Sequence, residues 1–304
     1  MRLVVHGQQA FGKAVLEALL DRGEEIAAVY CGPDRKGAPL DPLKEFALSK
    51  GLDVFQPASW KTPEVREQLA GLKADLCVMA YVTLLVPSAV LDTPRLGTIQ
   101  YHPSLLPLHR GPSSINWPII MGERKTGLSI FWPDDGLDEG PILMQKEVEI
   151  GPDDTLGSLY FKKLFPMGVE AMLESVDLVR EGRAPKSPQD HSKATYESWC
   201  RKQDAEIVWA KPVGEVYNLI RGTNPQPGAW TRIGGREVQI FDCSRIVMDA
   251  GAPGRVVSIT EDGFSVSARG GEIHVRRVRP EGGEKMPAGE YAVAAGLTEG
   301  TLVG

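Results

Sequence analysis

Two side chains able to move protons stand in Pro- and Gly-rich stretches of this chain. His102 lies in Tyr-His-Pro-Ser-Leu-Leu-Pro-Leu-His-Arg-Gly, and Asp138 lies in Asp-Asp-Gly-Leu-Asp-Glu-Gly. Both stretches directly follow apolar runs, so strands could hold these side chains rigidly at a surface. An imidazole can take a proton from an attacking nucleophile near neutral pH, and a carboxylate can orient that imidazole and stabilise its charge. The pattern indicates a base and its orienting acid, as used in acyl-type transfer.

The neighbouring residues leave alternatives open. Asp134 and Asp135 compete with Asp138 as the acid, and a histidine before proline can simply cap a turn. His109 and Arg110 could bind an anionic substrate tail, although a solvated loop face is the more frequent outcome for such residues.

Metal chemistry finds no support in the spacing of the ligand-type residues. The other histidines and the cysteines are scattered, without a CxxC pair; they are His6, His191, His274, Cys31, Cys77, Cys200 and Cys243. We therefore expect no metal and no disulfide framework. A P-loop and a GxSxG elbow are also absent from the sequence.

Composition predicts a globular protein with material for about two domains. The chain has 304 residues, 42% of them hydrophobic, and a net charge of −6. No apolar run approaches the roughly 20 residues that span a bilayer, and residues 1–6 enter a strand pattern without a signal-peptide layout. We expect a soluble, cytoplasmic protein with no membrane partner and no large electrostatic footprint for nucleic acid.

The first part of the chain alternates strand and helix patterns, which predicts an α/β domain with a Rossmann-like, mainly parallel sheet. Expected strands are 1–6, 26–31, 53–55, 76–80, 97–101, 127–131 and 142–150. Expected helices are 11–20, 41–50, 112–121 and 155–180, the last interrupted at Pro166. The turn from Gly7 to Gly12 lacks the GxGxxG spacing of a dinucleotide site, so we interpret its glycines as turn and packing devices.

The second part has short strand patterns separated by Gly and Pro, which predicts a small β-barrel-like domain or a similar open sheet. Expected strands are 205–209, 228–233, 237–241, 254–259, 263–268 and 273–278, with a helix at 213–221. We place the first domain at 1–182, a linker at 183–197 and the second domain at 198–304.

Long motifs in both parts resemble the 10-formyltetrahydrofolate-dependent formyltransferase family. They are His-Pro-Ser-Leu-Leu-Pro-Leu-His-Arg-Gly-Pro-Ser-Ser-Ile-Asn-Trp at 102–117 and Ser-Ile-Phe-Trp-Pro-Asp-Asp-Gly-Leu-Asp-Glu-Gly at 129–140. The nearest resemblance is to the N-terminal hydrolase domain of 10-formyltetrahydrofolate dehydrogenase, through residues 145–155 and 164–168. It continues through Ile-Arg-Gly-Thr-Asn-Pro-Gln-Pro-Gly-Ala-Trp at 220–230, into a second domain related to that of methionyl-tRNA formyltransferases.

The resemblance implies 10-formyltetrahydrofolate as the formyl donor, which leaves as tetrahydrofolate, and no metal. It places the family's catalytic His and Asp at His102 and Asp138, where Asp138 holds a water or the histidine. The implied pterin pocket lies between one strand end and one loop and is bordered by a second loop. Its residues are Met79, Ala80, Tyr81, Asp134, Asp135, Gly136, Leu137, Ser104, Leu105, Pro107 and Arg110.

Gln100 departs from the pattern of many family members. They place an asparagine two residues before the histidine, where its amide helps to hold the formyl oxygen. Loss of one such donor costs roughly 2.7–4 kcal/mol of transition-state stabilisation. A glutamine amide could reach the same point by another rotamer, so we count Gln100 as the third catalytic position.

The acceptor of the formyl group is expected to be water, a small amine or a carrier protein. Methionyl-tRNA formyltransferase is the alternative, but the loop at 32–39 carries only Arg35 and Lys36 as cations, which is little for a grip on tRNA. A second alternative, from another class, is a folate-binding module without turnover, which only Gln100 favours.

Overall fold

The strands form three sheets in the computed structural model, which describes residues 1–248 and 251–304. In chain order they are β1 Arg2–Gly7, β2 Glu25–Tyr30, β3 Val54–Phe55, β4 Leu76–Ala80, β5 Thr98–His102, β6 Lys125–Phe131, β7 Ile142–Glu149, β8 Ala229–Ile233, β9 Arg236–Ile240, β10 Cys243–Val247, β11 Val256–Ile259, β12 Phe264–Ala268, β13 Gly271–Val275, β14 Arg277–Pro280 and β15 Met286–Pro287.

The α-helices connect and cover these sheets. In chain order they are α1 Gln9–Asp21, α2 Pro42–Ser49, α3 Pro63–Gly71, α4 Ser88–Leu91, α5 Asn116–Met121, α6 Leu156–Leu159, α7 Phe165–Arg180, α8 Val213–Gly222 and α9 Ala288–Ala294. A π-helical turn, Tyr160–Leu164, precedes α7. Pro166 lies in the first turn of α7, directly after this π-helical turn, so the interruption predicted at Pro166 is seen as a change of helix type just before it.

The chain divides into two compact units, of which the first comprises Met1–Ser114, Gly127–Val148 and Phe161–Glu197. Its seven-stranded sheet has the order β3-β2-β1-β4-β5-β6-β7. Pairing is parallel from β3 to β5 and antiparallel between β5 and β6. The predicted α/β fold with a mainly parallel sheet is confirmed.

The central strands are apolar because both of their faces are covered. Of the residues of β1, all but the first are buried. Helix α1 buries one stripe that includes Phe11, Val15 and Leu19, at the spacing of a helix face turned to a core. Helix α2 begins after Asp41, whose side chain accepts a hydrogen bond from the backbone N–H of Leu43.

Gly7 is required by close packing at the centre of this sheet. It pairs with Ala80 across β1 and β4, and a Cβ atom at Gly7 would lie 2.2 Å from the carbonyl oxygen of Ala80. Strand order reverses between β1 and β4, and ligands of open α/β sheets bind outside the carboxyl ends of the strands at such a point. The interpretation of Gly7 as a packing residue therefore agrees with its surroundings. The carboxyl end of β4 lies at the edge of the sheet where such ligands bind.

The second unit comprises Ile115–Thr126, Glu149–Tyr160 and Ser198–Gly304. It has two four-stranded antiparallel sheets, β10-β13-β12-β11 and β15-β14-β9-β8, whose apolar side chains share one core. The predicted small, strand-rich and β-barrel-like second region is confirmed, and the structure adds that its strands are antiparallel.

Two strand predictions in this region are wrong in detail. Residues 205–209 form no strand: Lys202–Ala205 is a 3-10 helix, and only Glu206 bridges Trp230. The predicted strand at 273–278 is two strands, since β13 ends at Val275 and β14 begins at Arg277. The backbone N–H of Arg276, between them, donates to the carbonyl of Asp242 at 2.8 Å.

The segment predicted as a linker, 183–197, has backbone partners inside the first unit. Ser187 exchanges hydrogen bonds with Ile142 at 2.8 and 2.9 Å, and Tyr196 forms a parallel bridge with Arg110. The domain boundaries at 182 and 198 stay a prediction.

Within residues 1–248 and 251–304, no helix combines the length and the apolar character needed to cross a membrane.

Candidate active site

Strand β5 fixes the direction of two of the predicted catalytic side chains. Gln100 and His102 are two residues apart on this strand, so both project from the same face of the sheet. Gln100 is paired on both sides, with Met79 of β4 and Phe131 of β6, and His102 is paired with Ser129 of β6. Because neighbours on both sides set the register, the imidazole direction follows from the sheet itself.

The His102 ring is hydrogen-bonded at one nitrogen and faces a carboxylate with the other. Its Nε2 atom lies 2.8 Å from the carbonyl oxygen of His109, and because a carbonyl can only accept, Nε2 carries the hydrogen. The neutral ring therefore keeps its lone pair on Nδ1, which lies 3.6 Å from Oδ2 of Asp138. The two side chains are only 6% and 10% exposed, so the nitrogen able to take a proton lies beside a buried carboxylate.

Asp138 is positioned by an unusual turn. Its φ angle is +56°, in the left-handed region that Asp tolerates better than most residues. Its Oδ2 atom accepts a hydrogen bond from the backbone N–H of Gly111 at 2.9 Å. Gly111 has φ +103°, and a Cβ atom there would lie 2.4 Å from the carbonyl oxygen of Glu197, so only glycine fits. The carboxylate is thus fixed by backbone geometry on both sides of the contact.

The structure separates the three acids that compete in the sequence. Asp134 Oδ1 accepts from the backbone N–H of Gly136 at 2.9 Å, which closes its own turn. Asp135 Oδ1 accepts from the backbone N–H of Ser88 at 2.9 Å and ties this loop to the start of α4. Only Asp138 of the three contacts His102, and we retain it as the acid of the pair.

Arg110 lies inside the protein, and the prediction of a solvated loop face is wrong for it. The residue is 1% exposed. Its Nε and Nη2 atoms donate to Oε1 of Gln189 at 3.2 and 2.7 Å, and Nη1 donates to the hydroxyl of Tyr196. Nη1 also lies 3.6 Å from Oε1 of Glu139. A guanidinium with these internal partners is not presented to an anionic substrate tail.

His109 is also buried, so a solvated face is wrong for this residue as well. It is 4% exposed, and its Nδ1 atom lies 3.2 Å from Oε2 of Glu197. Its φ angle of +54° turns the backbone so that the carbonyl meets the His102 ring. The contribution of His109 to the site is its carbonyl group.

The residues expected to line a pterin pocket fall into an exposed group and a buried group. Met79 and Ala80 are buried at the end of β4, and Tyr81 follows with φ +64° and 41% exposure. The loop after Tyr81 and the loop of Asp138 expose further apolar side chains and are joined by the bond between Ser88 and Asp135. These side chains are Leu84, Leu85 and Leu137. Together they offer apolar surface to a flat aromatic ligand.

Ser104 is fully buried, and its hydroxyl donates to the carbonyl of Leu108 at 2.6 Å. This bond shapes the loop and commits the hydroxyl hydrogen of Ser104 to Leu108. Leu105 and Pro107 are half-buried, as is Gly136 in the opposite loop. Their contacts with a ligand stay a prediction.

Gln100 has a side chain suited to meeting a ligand. It is half-buried, and within residues 1–248 and 251–304 its amide makes no side-chain hydrogen bond. Its two amide hydrogens are thus available on the face of β5 that carries His102.

Gln189 is a buried residue of the site that the sequence did not indicate. It is 7% exposed, and its Nε2 atom donates to the carbonyls of Asp138 at 2.9 Å and Gly140 at 2.7 Å. The surrounding Pro, Lys and Ser residues are typical of a linker, and no pattern in the sequence distinguishes this glutamine from them.

His6 stands at the end of another strand of the same sheet, in different surroundings. Its ring packs against Trp60 with centroids 4.3 Å apart. Burial lowers the pKa of His6 to about 3, because the charged imidazole would lose its hydration. His6 therefore stays neutral at physiological pH.

In the part of the chain that the structure describes, no group of three His, Cys, Asp or Glu side chains is arranged to hold a metal ion.

Comparison with known proteins matches both parts of the chain to one family. Residues 1–176 match the family model described as "Formyl transferase". Residues 200–295 match the model described as "Formyl transferase, C-terminal domain".

Individual relatives differ in how much of their own length is matched. Mitochondrial 10-formyltetrahydrofolate dehydrogenase of Mus musculus is 39% identical over 308 residues, covering 96% of this chain and 33% of that protein. The chain thus spans about a third of the length of such dehydrogenases. Methionyl-tRNA formyltransferase of Trichlorobacter lovleyi is 36% identical, covering 99% of this chain and 96% of that protein.

A solved structure with the same fold is HypX from Aquifex aeolicus in complex with tetrahydrofolic acid. It superposes with a TM-score of 0.71 at 18% identity, over 97% of this chain and 47% of that chain.

Proposed function

Because the chain belongs to the formyl transferase family, we propose that it removes the formyl group from 10-formyltetrahydrofolate and releases tetrahydrofolate. The resemblance seen in the motifs at 102–117 and 129–140 is confirmed by these family matches. We propose water, or an amine or carrier group, as the acceptor. The observation that carries the proposal is the His102 imidazole, whose Nε2 atom is bound to a carbonyl while Nδ1 faces the Asp138 carboxylate at 3.6 Å.

The proposed reaction begins when an O–H or N–H nucleophile attacks the formyl carbon on N10 of the folate. His102 Nδ1 takes the proton that the nucleophile loses, and Asp138 stabilises the resulting imidazolium. The carbonyl oxygen becomes an oxyanion, toward which the Gln100 amide can donate. The C–N10 bond then breaks, and the proton passes from His102 to N10. The products are tetrahydrofolate and formic acid from water, the acid then releasing a proton to become formate, or tetrahydrofolate and a formamide from an amine, with no change of oxidation state.

The donor proposal is supported by the surroundings of the pair. Exposed apolar side chains on the loops of Tyr81 and Asp138 lie near the carboxyl end of β4, where the strand order reverses. A pterin and its aromatic ring would find apolar surface there, with backbone groups at the ends of the strands for its polar edge. The relatives support the same donor, since one is a 10-formyltetrahydrofolate dehydrogenase and one structure with the same fold contains tetrahydrofolic acid.

Methionyl-tRNA formyltransferase is the second candidate, and one observation favours it. The relative of that name matches this chain over 96% of its own length, whereas the dehydrogenase matches over 33%. Against it stands the loop after β2, where residues 32–39 include only Arg35 and Lys36 as cations. A grip on tRNA phosphates normally uses more positive charge and weakens steeply with salt.

The test is to mix the purified protein with 10-formyltetrahydrofolate and follow the appearance of tetrahydrofolate. Parallel reactions contain water alone, candidate amines or methionyl-tRNA, at low and high salt. Release in water or with an amine supports our proposal, and formylation restricted to methionyl-tRNA with steep salt dependence supports the second candidate. Tight folate binding without release under any condition would leave only a binding module and contradict both.

A further inference from the structure

We propose that Gln189 is a positioning residue: it holds the turn of Asp138 in the conformation that presents the carboxylate to His102. The kinetic part of this inference rests on the proposed function, whereas the part that concerns the geometry of the turn does not. Gln189 lies 51 residues from Asp138 in the chain and meets it only through folding.

The amide of Gln189 has one possible orientation. Its oxygen accepts two hydrogen bonds from Arg110, and its nitrogen donates two, to the carbonyls of Asp138 and Gly140. An amide has two donor hydrogens and two acceptor lone pairs, so all of its hydrogen-bonding capacity is used. A flip of the amide would place donors against the guanidinium and an acceptor against two carbonyls. The buried side chain is therefore locked.

The locked amide acts on the backbone of the acid itself. Asp138 has a φ angle of +56°, a conformation that persists in a non-glycine residue only when its surroundings enforce it. The two carbonyls bound by Gln189 are that of Asp138 and that of the residue two positions later. Without these bonds the turn can relax, and the carboxylate would lose its fixed distances to the backbone N–H of Gly111 and to the His102 ring.

The other end of the amide reaches the histidine side of the site. Arg110 follows His109, whose carbonyl accepts the hydrogen bond from His102 Nε2. The backbone of this pair is held by Thr195, whose hydroxyl accepts from the N–H of His109 at 2.8 Å and whose carbonyl accepts from the N–H of Arg110 at 3.0 Å. Through Arg110, Gln189 thus joins the turn that carries the acid to the turn that fixes the base.

The test uses the full-length protein and two substitutions. Gln189→Met keeps the length of the side chain and removes all four hydrogen bonds. Trp132→Phe is the matched control, since it removes the bond that the indole Nε1 atom donates to the carbonyl of Pro185 in the same segment, at 2.9 Å. For each variant we would measure kcat and KM for tetrahydrofolate release, and hydrogen exchange at the backbone amide of Gly111, which reports whether Asp138 keeps its place.

For Gln189→Met we expect kcat to fall about 10- to 100-fold, as misplacement of a reacting group does, while KM for the folate stays within a few fold. Exchange at the Gly111 amide should rise at least about tenfold, because its acceptor has moved. Trp132→Phe should leave both quantities within a few fold. If Gln189→Met fails to fold, Gln189→Glu serves instead: an ionised carboxylate still accepts from Arg110 but cannot donate to the two carbonyls, so the same losses are expected.

The inference is overturned if a folded Gln189 variant keeps kcat and Gly111 exchange at wild-type values, or if Trp132→Phe reduces both as strongly. Failure of the proposed function has a separate signature: the wild-type protein releases no tetrahydrofolate with any acceptor, while Gly111 exchange still decides whether Gln189 holds the turn.

Discussion

The surroundings of His6 and of His102 make an instructive contrast. Both histidines stand at or next to the end of a strand in the central sheet, and each is 5% exposed. His6 packs on Trp60, and burial lowers its pKa to about 3, so protonation is suppressed. His102 has its Nε2 hydrogen on a carbonyl and Asp138 beside Nδ1. The depth of burial is the same, so the groups that surround each ring distinguish a candidate base from a core histidine.

The largest expected effect tests the His102 side of this contrast. His102→Ala and Asp138→Asn should each lower kcat for tetrahydrofolate release by about 10²- to 10⁴-fold, because the proton acceptor or its partner is lost. Folate affinity, measured by equilibrium titration, should stay within a few fold.

The control for that experiment is His6→Leu, which should leave kcat within a few fold because His6 contacts Trp60 and has no part in the proposed proton transfer. Full activity in His102→Ala, or loss of activity in a folded His6→Leu protein, would remove the contrast between the two histidines.

A somewhat smaller effect is expected for Gln100, which shares the strand face of His102. Gln100→Ala should lower kcat about 10²- to 10³-fold, as loss of an oxyanion donor does, with little change in KM. Gln100→Asn keeps an amide and should retain much of the rate. Equal rates for Gln100→Ala and wild type would show that the oxyanion is held by other groups.

The last expected effect is on stability and not on rate, and it tests the His6 side through pH. Because the pKa of His6 falls from 6.5 in the unfolded chain to about 3 in the folded protein, the unfolded state binds the extra proton between these values. Stability is therefore fully present above pH 6.5 and is lost as the pH falls toward 3, at up to about 1.4 kcal/mol per pH unit. Urea unfolding from pH 7 to pH 4 should show a shallower loss in His6→Leu than in wild type. If the free energy of unfolding fell equally with pH in the two proteins, the burial of a neutral His6 would be contradicted.

The sequence predicted the buried strands well, because their apolar runs follow from burial on both faces. It missed α3, in which only Val65 and Leu69 are buried and the helical periodicity is correspondingly weak. It missed β10, whose Ile246 and Val247 are exposed on a strand at the edge of its sheet. Elements with few buried residues leave little periodic signal. Helix α9 was missed for another reason: four of its seven residues are buried, but a helix of about two turns is too short to show a periodic pattern.

The site residues could be predicted where a reactive side chain stands in a loop after an apolar run. They could not be predicted where a residue's role depends on partners distant in the sequence. His102 and Asp138 stand in loops after apolar runs, and the structure brings them together, although their catalytic roles stay a prediction. Arg110 was misjudged because its partners Gln189 and Tyr196 come from 79 and 86 residues further along the chain. An arginine in a polar loop looks solvated until those partners are known.

The backbone and side-chain bonds made by residues 187–197 have a consequence for protein engineering. Gln189 hydrogen-bonds to the carbonyl of Asp138, and Thr195 hydrogen-bonds to the backbone N–H of His109. The carbonyl of Glu197 packs against Gly111, where a Cβ atom would not fit. A chimaera that exchanged C-terminal domains between relatives, with its junction at residue 182, would combine the loops of His102 and Asp138 from one parent with residues 187–197 from another. A junction placed after Glu197 would take these loops and residues 187–197 from a single parent. Recombination there should preserve activity better than recombination at residue 182.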